Sequence, residues 1–353
     1  MVKKKTMTLS ERVGSFAELG TILRESLAGK PTMYSSQLQN LINTQQFRNP
    51  WFTPQNVKTA INAIAGELTE ENIEKWTGMY PELAEERDPI TVAVVMAGNI
   101  PLVGFHDYLC VLISGNNLLA KASSKDTELI VFLNEILCNI NPEFRNMVRF
   151  SDGFLSGFDA VIATGSNNTS RYFEYYFSRY PHIIRKNRNS AAIIDGTETS
   201  NELKYLGSDV FSYFGLGCRS ISKIYIPEEY DLNKMITEWE SYSDVINHNK
   251  YANNYDYNKA IYLINNEVFI DTGYILLKES TALTSPVAVL FYEKYSSIEK
   301  VYDLLKQMDQ EIQCISGKGH VPFGKTQSPH LWDYADGRDI LEFLLKKKQA
   351  EIS

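Results

Sequence analysis

The chain has 353 residues, 44% hydrophobic and 22% charged, with 20 glycines and 12 prolines. That balance is ordinary for a globular protein of about two domains, and it excludes a disordered chain, a collagen-like repeat and a disulfide scaffold. The formal net charge of −8 leaves no basic excess to face a polyphosphate backbone, so nucleic acid is not an expected partner.

Residues 1–90 read as a helical N-terminal layer that packs on the domain following it. Val13, Phe16, Leu19 and Leu23 share one helical face, and Val57, Ile61, Ile64 and Leu68 another. Proline breaks fall at Pro31, Pro50 and Pro54, and residues 76–81 close the last helix. From residue 91 the texture alternates. Strands are expected at 91–96, 117–122 and 160–163, with helices at 102–113, 126–138 and 170–177, which is the pattern of parallel βαβ units. Residues 91–185 therefore read as a Rossmann-like cofactor domain. Residues 186–322 read as a second α/β domain, with strands at 191–194, 223–226, 274–277 and 287–291 and helices at 202–214 and 298–308. The Asn/Tyr-rich segment 247–258 reads as a loop or a helix entry. Residues 323–353 form a tail that ends in an amphipathic helix with a Lys346-Lys347-Lys348 run.

The cysteines Cys110, Cys138, Cys218 and Cys314 include no CxxC pair, so they define neither a zinc site nor a disulfide framework and read as reduced thiols. No apolar run approaches the ~20 residues that span a bilayer. The 1–6 lysine cluster lacks an apolar signal core. A soluble, cytoplasmic protein is expected, without a metal or a membrane span. The five histidines fall in different elements and receive no role; His106 lies nearest the candidate site.

GxGxxG, the P-loop, HExxH and GxSxG are all absent, and four other segments carry the chemistry. In Ala97-Gly98-Asn99-Ile100-Pro101 a strand ends at a glycine and an asparagine, and the proline pre-sets a helical turn. The Asn99 amide there either donates to an oxyanion or caps the next helix. Lys121, Ser123 and Ser124 stand at the C-terminal end of the next strand, where an open α/β sheet binds ligands; they hold a ribose or its phosphate, or else form a solvated helix start. Thr164, Gly165 and Ser166 make a small turn before a helix, a setting that suits a pyrophosphate but is common in proteins that bind nothing there. In Phe214-Gly215-Leu216-Gly217-Cys218-Arg219 the glycines would expose a thiol and the arginine would favour its ionisation, so Cys218 is either the candidate nucleophile or, like most cysteines, a small buried hydrophobe. Cys110 and Cys138, in apolar helical runs, and Cys314, in an expected strand, read as small buried hydrophobes.

In this order the segments resemble the aldehyde dehydrogenase superfamily, and within it the LuxC-like acyl-CoA reductases, a likeness that extends to the tail from Phe323 to Gly337. The resemblance implies an α/β, aldehyde dehydrogenase-like fold. It also implies Cys218 and Asn99 as catalytic residues, with Lys121, Ser123, Ser124, Thr164, Gly165 and Ser166 around a nicotinamide cofactor. Three departures refine this reading. The stretch Arg185-Lys186-Asn187-Arg188-Asn189 offers no carboxylate where an aldehyde-oxidising relative carries a water-activating glutamate, unless it is simply a basic solvated face. Ala282 stands ahead of Ser285-Pro286-Val287 where a ribose-binding glutamate is usual, with Glu279 the nearest carboxylate. Ser124 replaces an acidic residue that would repel a 2′-phosphate, so NADPH is expected ahead of NADH. The implied reaction is reduction of a fatty acyl-CoA or acyl-carrier thioester to the aldehyde. The alternatives are an aldehyde-oxidising enzyme and a non-catalytic acyl-binding subunit. A homo-oligomer or a complex with an acyl-transferring partner is implied by analogy.

Overall fold

The computed structural model describes residues 7–346. The 1–6 lysine cluster, Lys347 and Lys348 lie outside the described residues. The chain divides into two compact units, Met1–Lys186 with His330–Ser353, and Asn187–Pro329.

The first unit opens with four helices: α1 (Leu9–Leu27), α2 (Ser35–Arg48), α3 (Pro54–Glu67) and α4 (Glu70–Thr77). A capping box starts α1: Thr8 Oγ1 accepts from the Glu11 N–H at 3.2 Å, and the Glu11 carboxylate accepts from the Thr8 N–H at 2.7 Å. Thr53 and Thr69 cap α3 and α4 in the same single-oxygen way, with Pro54 at the first helical position of α3. The apolar face expected of α1 is buried: Val13, Phe16, Leu19 and Leu23 all enter the core.

Then come β1 (Thr91–Val95), α5 (Phe105–Ile113), β2 (Asn117–Lys121), α6 (Thr127–Ile140), α7 (Phe144–Met147), β3 (Val148–Phe150), β4 (Ala160–Thr164), α8 (Asn167–Phe177) and β5 (His182–Arg185). The strands pair in parallel in the order β3-β2-β1-β4-β5. Successive residues of one strand serve opposite faces: Val92, Val94, Ala160 and Ile162 join the core beneath α1 and α5, whereas Ala93, Val161 and Ala163 pack with Phe173 and Phe177 of α8. Burial on both faces explains why these strands are continuous apolar runs.

Two readings need correction here. The helix expected from residue 102 begins at Phe105, and Pro101 does not open it; Leu102 adopts a positive φ of 57° inside a turn. The Arg185–Asn189 stretch is not one solvated face. Arg185 is buried, and its Nη1 donates to both carboxylate oxygens of Asp107 at 2.8 Å. Lys186, by contrast, is exposed and pairs with Glu174 at 2.9 Å. Removing one partner of a buried ion pair leaves an uncompensated charge, so Asp107→Ala should cost about 3–5 kcal/mol, read as a lowered urea midpoint at unchanged slope.

The second unit contains β6 (Asn189–Ile193), α9 (Ser200–Phe211), β7 (Ile221–Pro227), α10 (Leu232–Trp239), α11 (Asn249–Ile264), β8 (Ile270–Asp271), β9 (Leu276–Glu279), β10 (Val289–Tyr295), α12 (Ile298–Gln307) and β11 (Ile312–Ser316). Its sheet runs β11-β6-β7-β10-β9-β8, parallel except for the β8–β9 pair. The Asn/Tyr-rich segment lies largely within α11. Tyr251, Tyr255, Asn258 and Tyr262 form its buried stripe, and a tyrosine stripe carries no obvious apolar period because each ring ends in a hydroxyl. The helix expected over 202–214 stops at Phe211, since Tyr213 and Phe214 take positive φ values of 53° and 58°. The chain ends its described part in α13 (Ile340–Lys346), whose Ile340, Leu341 and Leu344 join the core of the first unit. Among the described residues no helix is long and apolar enough to cross a membrane.

The segment after β11 is tied to α9 by Asp209. Its carboxylate accepts from the Gly324 N–H at 2.7 Å and from the Thr326 N–H and Oγ1–H at 3.2 and 2.8 Å. Burial, opposed by these bonds, pushes the Asp209 carboxyl up to about 6. The native state therefore holds this proton more tightly than the unfolded chain. The contribution to stability is full below the ordinary carboxylate range and is lost as pH rises through about 6. Asp209→Asn should flatten this part of the stability profile, as measured by urea midpoints between about pH 4 and pH 7.

Candidate active site

In the first unit, β2, β1 and β4 are neighbours, with Lys121, Val95 and Ala163 level across the register. At about 4.8 Å between strands, their C-terminal ends form one short edge. Lys121, half-buried, closes β2, and its Nζ donates to the Gly153 carbonyl at 3.1 Å. Ser123 Oγ accepts from the Lys125 N–H at 3.3 Å, and Ser124 is exposed. Gly98 lies so close to Ser123 that a Cβ there would overlap the serine side chain. The turn after β1 and the turn after β2 are thus packed together, and Asn99 is exposed on the first of them.

Asn99 does not cap α5, because Gly104 holds that position. Ser166 does cap α8, its Oγ accepting from the Thr169 N–H at 3.2 Å and meeting Thr169 Oγ1 at 2.9 Å. Gly165 donates its N–H to the Arg185 carbonyl at 3.3 Å, and a Cβ on it would come within 3.0 to 3.1 Å of Phe173 and Thr169. Thr164 is the half-buried last residue of β4. The order of the sheet reverses between β1 and β4, so these turns flank the crevice where an open α/β sheet takes its ligand.

In the second unit, Cys218 is half-buried in the turn between α9 and β7. The turn is built from Tyr213, Phe214 and Gly215, all at positive φ (53°, 58° and 75°). Only glycine adopts this region freely, and each other residue there costs of order 1–2 kcal/mol. Two bonds hold the turn in place. The Leu216 N–H donates to the Tyr213 carbonyl at 3.1 Å, and Ser220 N–H to the Gly217 carbonyl at 3.0 Å. A third comes from β6: the buried Ser190 Oγ–H donates to the Cys218 carbonyl at 2.9 Å. The same oxygen accepts from the Cys314 N–H at 3.2 Å and lies 3.1 Å from Cys314 Sγ. The Phe214 ring meets His248 at 4.3 Å between centroids, the planes tilted by 33°.

Burial pushes the Cys110, Cys138 and Cys314 thiols up. The positive charge of Arg219, expected to act on Cys218, also favours the ionised Cys314 thiol and so opposes the larger effect of burial there. Glu279 ends β9 exposed, and its charge raises the buried Lys223 ammonium, whose pKa burial lowers. Lys223 is paired with Glu293 at 2.6 Å. Ser190 had no signal in the sequence, since a serine in an apolar strand is unmarked until its partner is known.

The acyl-CoA reductase (LuxC) family matches residues 31–239, more than half of the chain. This protein belongs to the LuxC acyl-CoA reductase family. It is therefore an oxidoreductase acting on acyl or aldehyde groups. Among solved structures, the chain is similar to aldehyde dehydrogenase 21 from Physcomitrella patens in complex with the reaction product succinate, with a TM-score of 0.61 and 11% identity over 97% of this chain and 89% of that one. It is also similar to an aldehyde dehydrogenase from Bacillus cereus in its NAD+ complex, with a TM-score of 0.61 and 12% identity over 88% of this chain and 72% of that one. An indole-3-acetaldehyde dehydrogenase in complex with NAD+ gives 0.63 and 12% over 88% and 72%. These likenesses establish the expected aldehyde dehydrogenase-like fold for the LuxC-family chain. No curated protein matches it in sequence.

Iodoacetamide should label Cys218 first and leave Cys110 and Cys138, buried with raised pKa values, unmodified in the native protein. Peptide mass spectrometry of wild type beside Cys218→Ala reads this directly, with loss of the fast-labelled peptide in the variant.

Proposed function

We propose that the chain reduces a fatty acyl thioester, carried by coenzyme A or by a carrier protein, to the aldehyde with NADPH, through a covalent acyl-Cys218 intermediate. The observation that carries this reading is a half-exposed cysteine on a turn of three successive left-handed residues, in a family of acyl-CoA reductases. Backbone strain of this kind concentrates at functional positions.

The donor set suits a nicotinamide dinucleotide. Lys121 supplies a cation, Ser123, Ser124 and Thr164 supply hydroxyls, and Gly165 and Ser166 lead into the N-terminus of an eleven-residue helix that favours phosphate. Residues 121–124 contain no carboxylate, so a 2′-phosphate meets no like charge there, which favours NADPH over NADH. When bound, the cofactor supplies a hydride.

The Cys218 sulfur bonds to the thioester carbonyl carbon. The oxyanion is stabilised by the Asn99 amide and the Cys218 N–H, and the carrier thiol leaves as the carbonyl re-forms. The acyl-cysteine persists because the 185–189 stretch holds no carboxylate to activate water. After hydride addition to the acyl carbon, collapse of the thiohemiacetal returns the Cys218 thiolate and frees the aldehyde.

NADPH consumption should depend on acyl-CoA and vary with chain length. Cys218→Ala should abolish it by more than about a thousandfold, and Asn99→Ala should lower kcat by about 10²–10³. Acid formation from aldehyde with NAD(P)+ and no coenzyme A would replace this reading with aldehyde oxidation. A Cys218→Ala variant that kept its biological role would replace it with an acyl-binding subunit.

A further inference from the structure

Asp126 occupies the N-cap position of α6, where aspartate ordinarily accepts a hydrogen bond from the first turn of its own helix. It makes no such bond. Its Oδ2 instead accepts from the Leu102 N–H at 2.7 Å, across 24 residues of sequence and within the first unit. Asp126 is 5% exposed, and its second oxygen, Oδ1, is buried without a hydrogen-bond partner. It lines a small cavity together with Ala97, Ser123 and Leu102. A buried carboxyl with one oxygen unsatisfied is costly. Burial pushes its pKa well above the ordinary carboxylate range. Here a favourable local cap is given up for a distant bond, and that bond falls on a residue with its own cost.

Leu102 is that residue, buried at a positive φ of 57°, three positions after Asn99. The turn around it is closed by the Phe105 N–H donating to the Leu102 carbonyl at 2.9 Å. Neighbouring backbone packs tightly on both sides: Gly98 lies against Ser123, and Gly104 against Met96, with no room for a Cβ at either. Between those contacts, the Asp126 bond holds the strained residue.

We propose that Asp126 is a positioning residue: through the Leu102 N–H it fixes the turn that presents the Asn99 amide. The catalytic part of this inference rests on the thioester-reductase reading. The geometric part does not.

Two substitutions separate the roles of the side chain. Asp126→Ser keeps an oxygen able to cap α6 but cannot reach Leu102, whereas Asp126→Asn keeps both the length and an acceptor. Hydrogen–deuterium exchange over peptide 97–104 should be at least about tenfold faster in Asp126→Ser, with α6 still protected, and close to wild type in Asp126→Asn. With acyl-CoA and NADPH, Asp126→Ser should lose about a hundredfold in kcat while the KM for NADPH stays within about twofold and the Cys218 alkylation rate is unchanged. Asp126→Asn should restore kcat. Wild-type exchange in Asp126→Ser, or failure of Asp126→Asn to rescue, overturns the proposal. A wild-type enzyme inactive on every acyl thioester overturns the functional reading instead, and the exchange result then decides the role of Asp126 by itself.

Discussion

Parallel pairing is the constraint on which the first unit depends. Because β3, β2, β1, β4 and β5 all run in one direction, each connection must return across a face of the sheet, and both faces become buried. The strands then have no place for exposed chemistry along their length. Side chains able to meet a ligand are left to the strand ends, and parallel order gathers those ends at one edge. The helices α1 and α5 on one face and α8 on the other complete the enclosure, so the sheet itself sets the positions of Lys121 and Thr164 at its strand ends, whereas Asn99 stands on the turn beyond β1.

The apolar, β-branched runs at β1 and β4 and the period of α1 were legible because each buries a face whose pattern is local. Segments whose burial is mixed were not. The short β3 and β5 have no run long enough to mark them, and α11 hides its period behind tyrosine hydroxyls. At the candidate site, the order of the turns identified Cys218, Asn99 and the cofactor residues as candidates. The bonds that hold two of those turns were invisible: Ser190 to the Cys218 carbonyl joins residues 28 apart, and Asp126 to Leu102 joins residues 24 apart.

The nucleophile turn carries unfavourable backbone geometry at Tyr213 and Phe214 and is restrained from several directions. Ser190 ties it to β6 and β11, the Phe214 ring lies on His248 at the start of α11, and Gln327 Nε2 donates to Ser220 Oγ at 3.3 Å. These bonds are individually modest, on the order of 1 kcal/mol each. Together they come from elements spread across the whole second unit, so the turn takes its shape from the completed unit as well as from its own local bonds.

The chain leaves the first unit at Lys186 and returns to it at His330. Leu331, Ile340, Leu341 and Leu344 belong to the same core as Phe16 and Trp76, and the Trp76 indole N–H donates to the Tyr334 hydroxyl at 2.8 Å. During synthesis the N-terminal helices and the five-stranded sheet emerge from the ribosome long before those residues exist. The continuous segment 187–329 can close its own core first, leaving an earlier-made partner with an open apolar seam. Vectorial synthesis thus favours completing the inserted unit before the unit that began the chain.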